Sequence, residues 1–135
     1  MNVIRLVGVY LLTTVTFLAI DAVWLGVIAK NMYRREIGHL LAQSVRVGPA
    51  VVFYVVYIVG LLALVVLPNA RLPLPRTDAL GALFGLVAYA TYDLTNLATL
   101  DRWPLSVTLA DLAWGAFLTG LTSAAAWVYA RWLVV

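Results

Sequence analysis

The segment TYDLTNLATLDRWPLSVTLADLAWG, residues 91–115, contains two apolar stretches separated by the four-residue turn DRWP. A connection this short is typical of two helices that lie side by side in antiparallel orientation. Asp93 lies eight residues before this turn, and Asp111 lies seven residues after it. The segment therefore predicts a helical hairpin that carries two acidic side chains at nearly the same level.

The composition of the whole chain is that of an integral membrane protein. Of its 135 residues, 64% are apolar and 11% are charged, whereas soluble domains are about 45–50% apolar and about 25% charged. The absence of cysteine excludes disulfides, thiolate catalysis, iron–sulfur clusters and cysteine-ligated zinc. The net charge of +3 is too small and too scattered to indicate nucleic-acid binding. We predict one domain, residues 1–135, with no cofactor.

Four stretches are long enough to cross about 30 Å of hydrocarbon, and lipid requires each to be helical. They are Val3–Ala29, Val47–Leu67, Ala79–Leu100 and Leu105–Tyr129. Because the apolar run of the first continues well beyond a signal-peptide core, we interpret it as a retained helix. We expect residues 31–46 to form a short interfacial helix and residues 68–78, with three prolines, to form a tight loop. The predicted fold is an all-α transmembrane four-helix bundle with both termini on one side.

The acidic residues of these stretches fall at one depth. We call the membrane side that carries the first and third connections side B. Asp21 lies nine residues before Lys30, so Asp21, Asp93 and Asp111 are each about 10–14 Å from side B at 1.5 Å per residue. Each charged residue near the bilayer centre costs about 2.5–3.5 kcal/mol and usually faces an interior cavity. Their common depth therefore predicts a polar site inside the membrane.

Helical spacing adds neighbours to the three acids, because residues three or four apart share a helix face. Trp24 and Trp114 each follow an aspartate by three residues, and Tyr54 lies at the same depth in the second stretch. We predict that aromatic side chains hold the apolar part of a ligand and that an amide orients its polar part. The predicted ligand-binding residues are Asp21, Trp24, Tyr54, Tyr92, Asp93, Asn96, Asp111 and Trp114. The aromatic residues near the ends of the stretches, including Tyr33 and Trp103, are predicted to be interfacial anchors.

The motifs TYDLTN, ATLDRWP and DLAWG resemble those of a bacterial family of four-helix inner-membrane proteins, catalogued only as a domain of unknown function. The resemblance covers essentially the whole chain. The matching positions are Asp21, Trp24, Leu25, Tyr92, Asp93, Thr95, Asn96, Trp103, Pro104, Asp111, Trp114 and Gly115. The resemblance implies a multi-pass protein of the bacterial inner membrane, and it implies no activity or substrate.

Three functions are compatible with these residues. Carboxylates beside aromatic rings suit binding or transport of a small amphipathic or cationic ligand, because ring faces attract cations. The plan of four short helices resembles that of the small multidrug exporters, in which two copies form one pathway, so a homodimer is one alternative. That family typically has a single essential acid in its first helix, whereas this chain has three acids on three helices. A second function is that of an enzyme that uses the acids for acid–base or Mg²⁺-assisted chemistry on a membrane lipid. A third function is that of a structural or accessory subunit, in which the acids join the chain to a partner protein.

The distribution of basic residues does not decide the orientation of the chain in the membrane. Five basic residues fall on side B, and four basic residues and the amino terminus fall on the opposite side, so the positive-inside rule favours neither orientation.

Overall fold

The computed structural model describes residues 2–135, and every regular element in that range is helical. The α-helices are α1 (Val3–Val23), α2 (Lys30–Ile37), α3 (Val47–Leu61), α4 (Leu74–Thr99) and α5 (Leu105–Leu133). A π-helical turn, Trp24–Ile28, extends α1, and a second one, Leu62–Val66, extends α3. The prediction of an all-helical fold is therefore confirmed.

Three of these elements are long and apolar enough to cross a membrane. They are Val3–Ile28, Val47–Asn69 and Leu105–Leu133. The remaining long helix, α4, has 26 residues and carries Arg76, Asp78 and Asp93. Each of the four predicted stretches thus falls on a helix, and three of them qualify as spans by length and composition.

The prediction of a tight loop over residues 68–78 is wrong for most of that range. A 3-10 turn continues to Asn69, and α4 already begins at Leu74. Pro73 and Pro75 permit this start because the first residues of a helix need no N–H partner within the helix. Only a short turn remains between Asn69 and Leu74, and side chains of α5 hold it in place. Arg131 donates to the Ala70 carbonyl at 3.1 Å, and Trp127 donates to the Leu72 carbonyl at 3.0 Å.

Small residues allow α4 and α5 to pack closely in antiparallel orientation. A methyl group added at Gly85 would overlap the Gly115 carbonyl and the Thr119 side chain, and one added at Gly81 would overlap Ser123. Close approach of two backbones at small residues is a common way for helices to pack in membranes. The seam between α4 and α5 is therefore set by residues that carry little or no side chain.

Helix α5 lies at the centre of the molecule. It packs against α1 as well as α4, and Thr16 of α1 is hydrogen-bonded to Tyr129 of α5 at 2.8 Å. Helix α3 approaches α4 and α5 mainly through its π-helical extension, Leu62–Val66, rather than along its length. The rest of α3 diverges from α4, which leaves a gap between the side-B half of α3 and the facing part of α4.

Candidate functional site

The α4–α5 seam places two acidic side chains opposite each other. The facing pairs of the seam advance by four residues on both helices: Gly81 with Ser123, Gly85 with Thr119, and Tyr89 with Gly115. One further step along both helices gives Asp93 and Asp111. The short turn at residues 101–104 and the four-residue step thus explain why these two acids share a level.

Asp93 is fully buried, and no N–H or O–H group among residues 2–135 donates a hydrogen bond to either of its carboxylate oxygens. The carboxyl group of Asp111 lies within hydrogen-bonding reach of it. Two adjacent carboxylates repel each other unless a proton or a cation balances their charge. The pair is therefore a site that would accept a positively charged or hydrogen-bond-donating group.

Asp111 is tied to α2 through a tyrosine. The Tyr33 hydroxyl donates a hydrogen bond to Oδ1 of Asp111 and accepts one from Nε1 of Trp24 at 2.9 Å. Burial raises the pKa of Tyr33 above its ordinary value, and the hydrogen bond to Asp111 raises that pKa further. Tyr33 therefore stays neutral and keeps the proton that it donates to Asp111.

Asp21 has two hydrogen-bond donors from other helices. The Tyr54 hydroxyl of α3 donates to Oδ2 at 2.9 Å, and Nε1 of Trp114 on α5 donates to Oδ1 at 3.2 Å. With both oxygens occupied and 6% of its surface exposed, Asp21 holds three helices together. It thus differs from Asp93, whose oxygens have no such donors.

Stacked indole rings connect the two parts of this network. The rings of Trp24 and Trp114 are 4.5 Å apart and nearly parallel, at 6°. Trp114 donates to Asp21, and Trp24 donates to Tyr33, which in turn donates to Asp111. The three aspartates therefore belong to one continuous cluster of polar and aromatic side chains drawn from all five helices.

Two cavities meet at this cluster. The first, which we call the side-B cavity, has a volume of about 600 Å³. The second, which we call the α3–α4 cavity, has a volume of about 430 Å³. Asp111 and Tyr92 line both cavities. Both volumes fall within the range of small-molecule sites, about 300–1,000 Å³.

The walls of the two cavities differ in character. The α3–α4 cavity is apolar apart from Asp111 and the tyrosine hydroxyls, and its walls include Phe53, Tyr57 and Tyr89. A groove along the same gap continues outward between Val56 and Phe84. The side-B cavity instead carries the basic side chains Lys30 and Arg34 on α2. Asp111 thus lies at the junction of an apolar gap and a cavity that carries two basic side chains.

The predicted site residues take different roles in the structure. Tyr92 lines both cavities and packs edge-on against Trp103. Trp24, Tyr54 and Trp114 donate hydrogen bonds within the network instead of lining either cavity. Asn96 lies on α4 one turn beyond Asp93, is half-buried, and lines neither cavity.

Two aromatic residues that we expected to be interfacial anchors are part of the interior. Tyr33 bonds to Asp111, and Trp103 is 7% exposed and donates to the Thr108 hydroxyl at 3.0 Å. Both side chains thus make specific contacts within the protein, which the anchor prediction did not include. For Tyr33, the available signal was its position on one face of α2 with Lys30 and Ile37, three and four residues away.

The acids do not gather into a metal-binding group. Across residues 2–135, no set of three or more His, Cys, Asp or Glu side chains is arranged to hold a metal ion. The separation has a visible cause, since the Trp24–Trp114 stack and its hydrogen bonds lie between Asp21 and Asp111.

Comparison with known families identifies the chain. The profile of a family described as predicted membrane protein (DUF2177) matches residues 6–128, which include every predicted site residue. Comparison with curated proteins and with solved structures gave no match. The family match confirms the resemblance to a membrane-protein family of unknown function. The chain therefore belongs to the DUF2177 family of predicted membrane proteins.

Proposed function

We propose that the protein binds, and as a transporter moves, a small amphipathic or cationic molecule whose polar end binds at the Asp93–Asp111 pair through Asp111, the member that lines the cavities. The observation that carries this proposal is the state of Asp93, a fully buried carboxyl group without a hydrogen-bond donor from the protein. An unpaired buried acid is costly, and a ligand that donates to the acid pair removes that cost. Asp111, the partner of Asp93, reaches both cavities.

The surroundings of the pair suit an amphipathic molecule. Phe53, Tyr57 and Tyr89 give the α3–α4 cavity an apolar and aromatic wall. Aromatic faces bind both alkyl chains and cations. The apolar part of the ligand would lie in this gap, while its polar end would reach Asp111.

The proposal includes a topology with four spans. We infer that α4 crosses the membrane beside α5, with both chain termini on one side, in a multi-pass protein of the bacterial inner membrane. The antiparallel α4–α5 seam supports this, because α5 is long and apolar enough to span. The charge of Asp93 is turned inward on α4, as intramembrane acids usually are.

Copurification tests the binding proposal. Native mass spectrometry of the protein, purified in mild detergent, should reveal a bound small molecule that Asp93→Asn and Asp111→Asn remove. Asp78→Asn is the matched control, because Asp78 is an exposed acid on the same helix as Asp93. Retention of the same molecule by all three variants would contradict a site at the acid pair.

One observation supports an enzyme as a second candidate. Neighbouring carboxyl groups with different surroundings can divide the roles of acid and base, and Asp93 and Asp111 differ in just this way. Recovery of a bound lipid in chemically altered form, dependent on both acids, would favour the enzyme. Recovery of an unaltered molecule would favour binding or transport.

A further inference from the structure

The side-B cavity separates charges of opposite sign. Lys30 and Arg34 lie one helical turn apart on α2 and line this cavity together with Asp111. Neither basic side chain forms an ion pair with an aspartate, and the one ion pair within residues 2–135 joins Arg35 to Glu36. The cavity therefore has a negative end at Asp111 and a positive rim at α2.

This arrangement selects among polar ligands. A ligand with only an ammonium group would fit the acid pair but would be repelled by Lys30 and Arg34. A ligand with only a phosphate group would be attracted to the basic rim and repelled by Asp111. A headgroup that carries both charges satisfies both ends, since Lys and Arg bind phosphate well and carboxylates bind ammonium groups.

The apolar gap beside the acid pair indicates how the rest of the ligand is held. Because α3 contacts α4 mainly through Leu62–Val66, the gap opens sideways between Val56 and Phe84. Asp111 and Tyr92 line both this gap and the charged cavity, so one molecule can occupy both. An acyl chain could thus stay in the apolar gap while its headgroup reaches the charged cavity.

We propose that the ligand is a phospholipid with an amine-bearing zwitterionic headgroup, which approaches from the bilayer between α3 and α4. Its amine would contact Asp111, which lines the cavity beside the buried Asp93, its phosphate would contact Lys30 and Arg34, and its acyl chain would contact the wall formed by Phe53. This proposal rests on the proposed function and specifies the ligand class of the same site.

The test measures the affinities of three single-chain probes for delipidated protein in detergent. The probes are lysophosphatidylethanolamine, which carries both charges, lysophosphatidylglycerol, which carries only the phosphate, and dodecylamine, which carries only the amine. We expect lysophosphatidylethanolamine to bind about tenfold more tightly than either of the others, because each lacks one charged contact. Equal or tighter binding of lysophosphatidylglycerol would overturn the zwitterionic assignment.

A pair of neighbouring arginines supplies the matched variants. Arg34→Gln should weaken lysophosphatidylethanolamine binding by about tenfold and leave dodecylamine binding no weaker. Arg35→Gln should change neither, since Arg35 pairs with Glu36 and does not line the cavity. Equal effects of the two variants on the lipid probe would overturn the role of the basic rim.

A separate variant tests whether the acyl chain occupies the gap between α3 and α4. Ala88→Phe fills the α3–α4 cavity and should abolish binding of the lipid probe, whereas Val87→Phe alters the neighbouring exposed position and should not. If Ala88→Phe binds the lipid probe normally, the gap does not hold the chain and the proposal is overturned.

The outcomes separate this proposal from the proposed function. If dodecylamine binds in an Asp93-dependent manner and the lipid probes show no preference, the amphipathic site stands and the phospholipid assignment fails. If none of the three probes binds, both fail.

Discussion

Asp93 and Asp111 face each other across the α4–α5 seam, one step of four residues beyond the contact between Tyr89 and Gly115. The contact between the two acids is thus a direct product of the glycine register of the seam. The glycines that allow the helices to approach also hold two carboxyl groups together in the interior. Stability of the seam and chemistry of the site should therefore respond to the same substitutions.

The first prediction concerns Gly85. Because a methyl group there would overlap the Gly115 carbonyl, Gly85→Ala must push the backbones of α4 and α5 apart. We expect a loss of about 1–3 kcal/mol in the free energy of unfolding, as for other overpacked positions, and a lower melting temperature in detergent. Gly48→Ala on α3 is the control, since nothing lies within 4 Å of its added methyl group. Equal melting of the two variants would show that the seam is looser than the structure indicates.

The second prediction concerns Trp114. Trp114→Phe keeps an aromatic ring beside Trp24 but removes the N–H that donates to Asp21. Leaving a buried carboxyl oxygen without its donor should cost about 1–3 kcal/mol of stability. Trp132→Phe is the control because Trp132 is 81% exposed. Chemical unfolding in mixed micelles measures both variants, and an unchanged midpoint for Trp114→Phe would contradict the hydrogen bond.

The third prediction concerns Tyr33, whose hydroxyl connects α2 to Asp111. Tyr33→Phe removes this connection, so α2 should open locally more often. We expect faster tryptic cleavage after Arg34 and Arg35 in the folded protein. Tyr10→Phe is the matched control, because the hydroxyl of Tyr10 reaches the Val55 carbonyl only at 3.5 Å. Unchanged cleavage in Tyr33→Phe would mean that α2 is held without this bond.

The fourth prediction concerns topology. The chain has no cysteine, so a single introduced cysteine reports the side of the membrane cleanly. We expect Asn2→Cys and Val135→Cys to react with an impermeant maleimide from one side, and Arg102→Cys to react from the other. Labelling of the two terminal variants from opposite sides would exclude four spans.

Much of the helix pattern and the level of the acids were predictable from the sequence. A helix rises by a fixed 1.5 Å per residue, so distances from a chain turn translate into depths without knowledge of packing. This is why Asp93 and Asp111 could be assigned to one level. The start of α4 at Leu74 was missed because the prolines of that segment were interpreted as helix breakers.

The surroundings of the acids were less predictable. The docking of Tyr33 on Asp111 depends on the π-helical turn Trp24–Ile28 and on how α2 folds back after it. The pairing of Trp24 with Trp114, which turns both rings toward each other, depends on rotation of α1 against α5. The gap between α3 and α4 exists because α3 diverges from α4 away from Leu62–Val66. None of these relationships follows from spacing along one helix.

The most direct test of the central claim is the affinity for dodecylamine of Asp93→Asn compared with Asp78→Asn, measured by tryptophan fluorescence in lipid nanodiscs. Both variants remove one carboxylate from α4, but only Asp93 is buried beside Asp111. We predict that Asp93→Asn binds at least about tenfold more weakly, that Asp78→Asn binds like the wild type, and that both melt like the wild type. Equal affinities would contradict a ligand site at the acid pair. Unfolding of Asp93→Asn, together with Asp21→Asn and Asp111→Asn, would instead mean that the three acids serve only to hold the helices together.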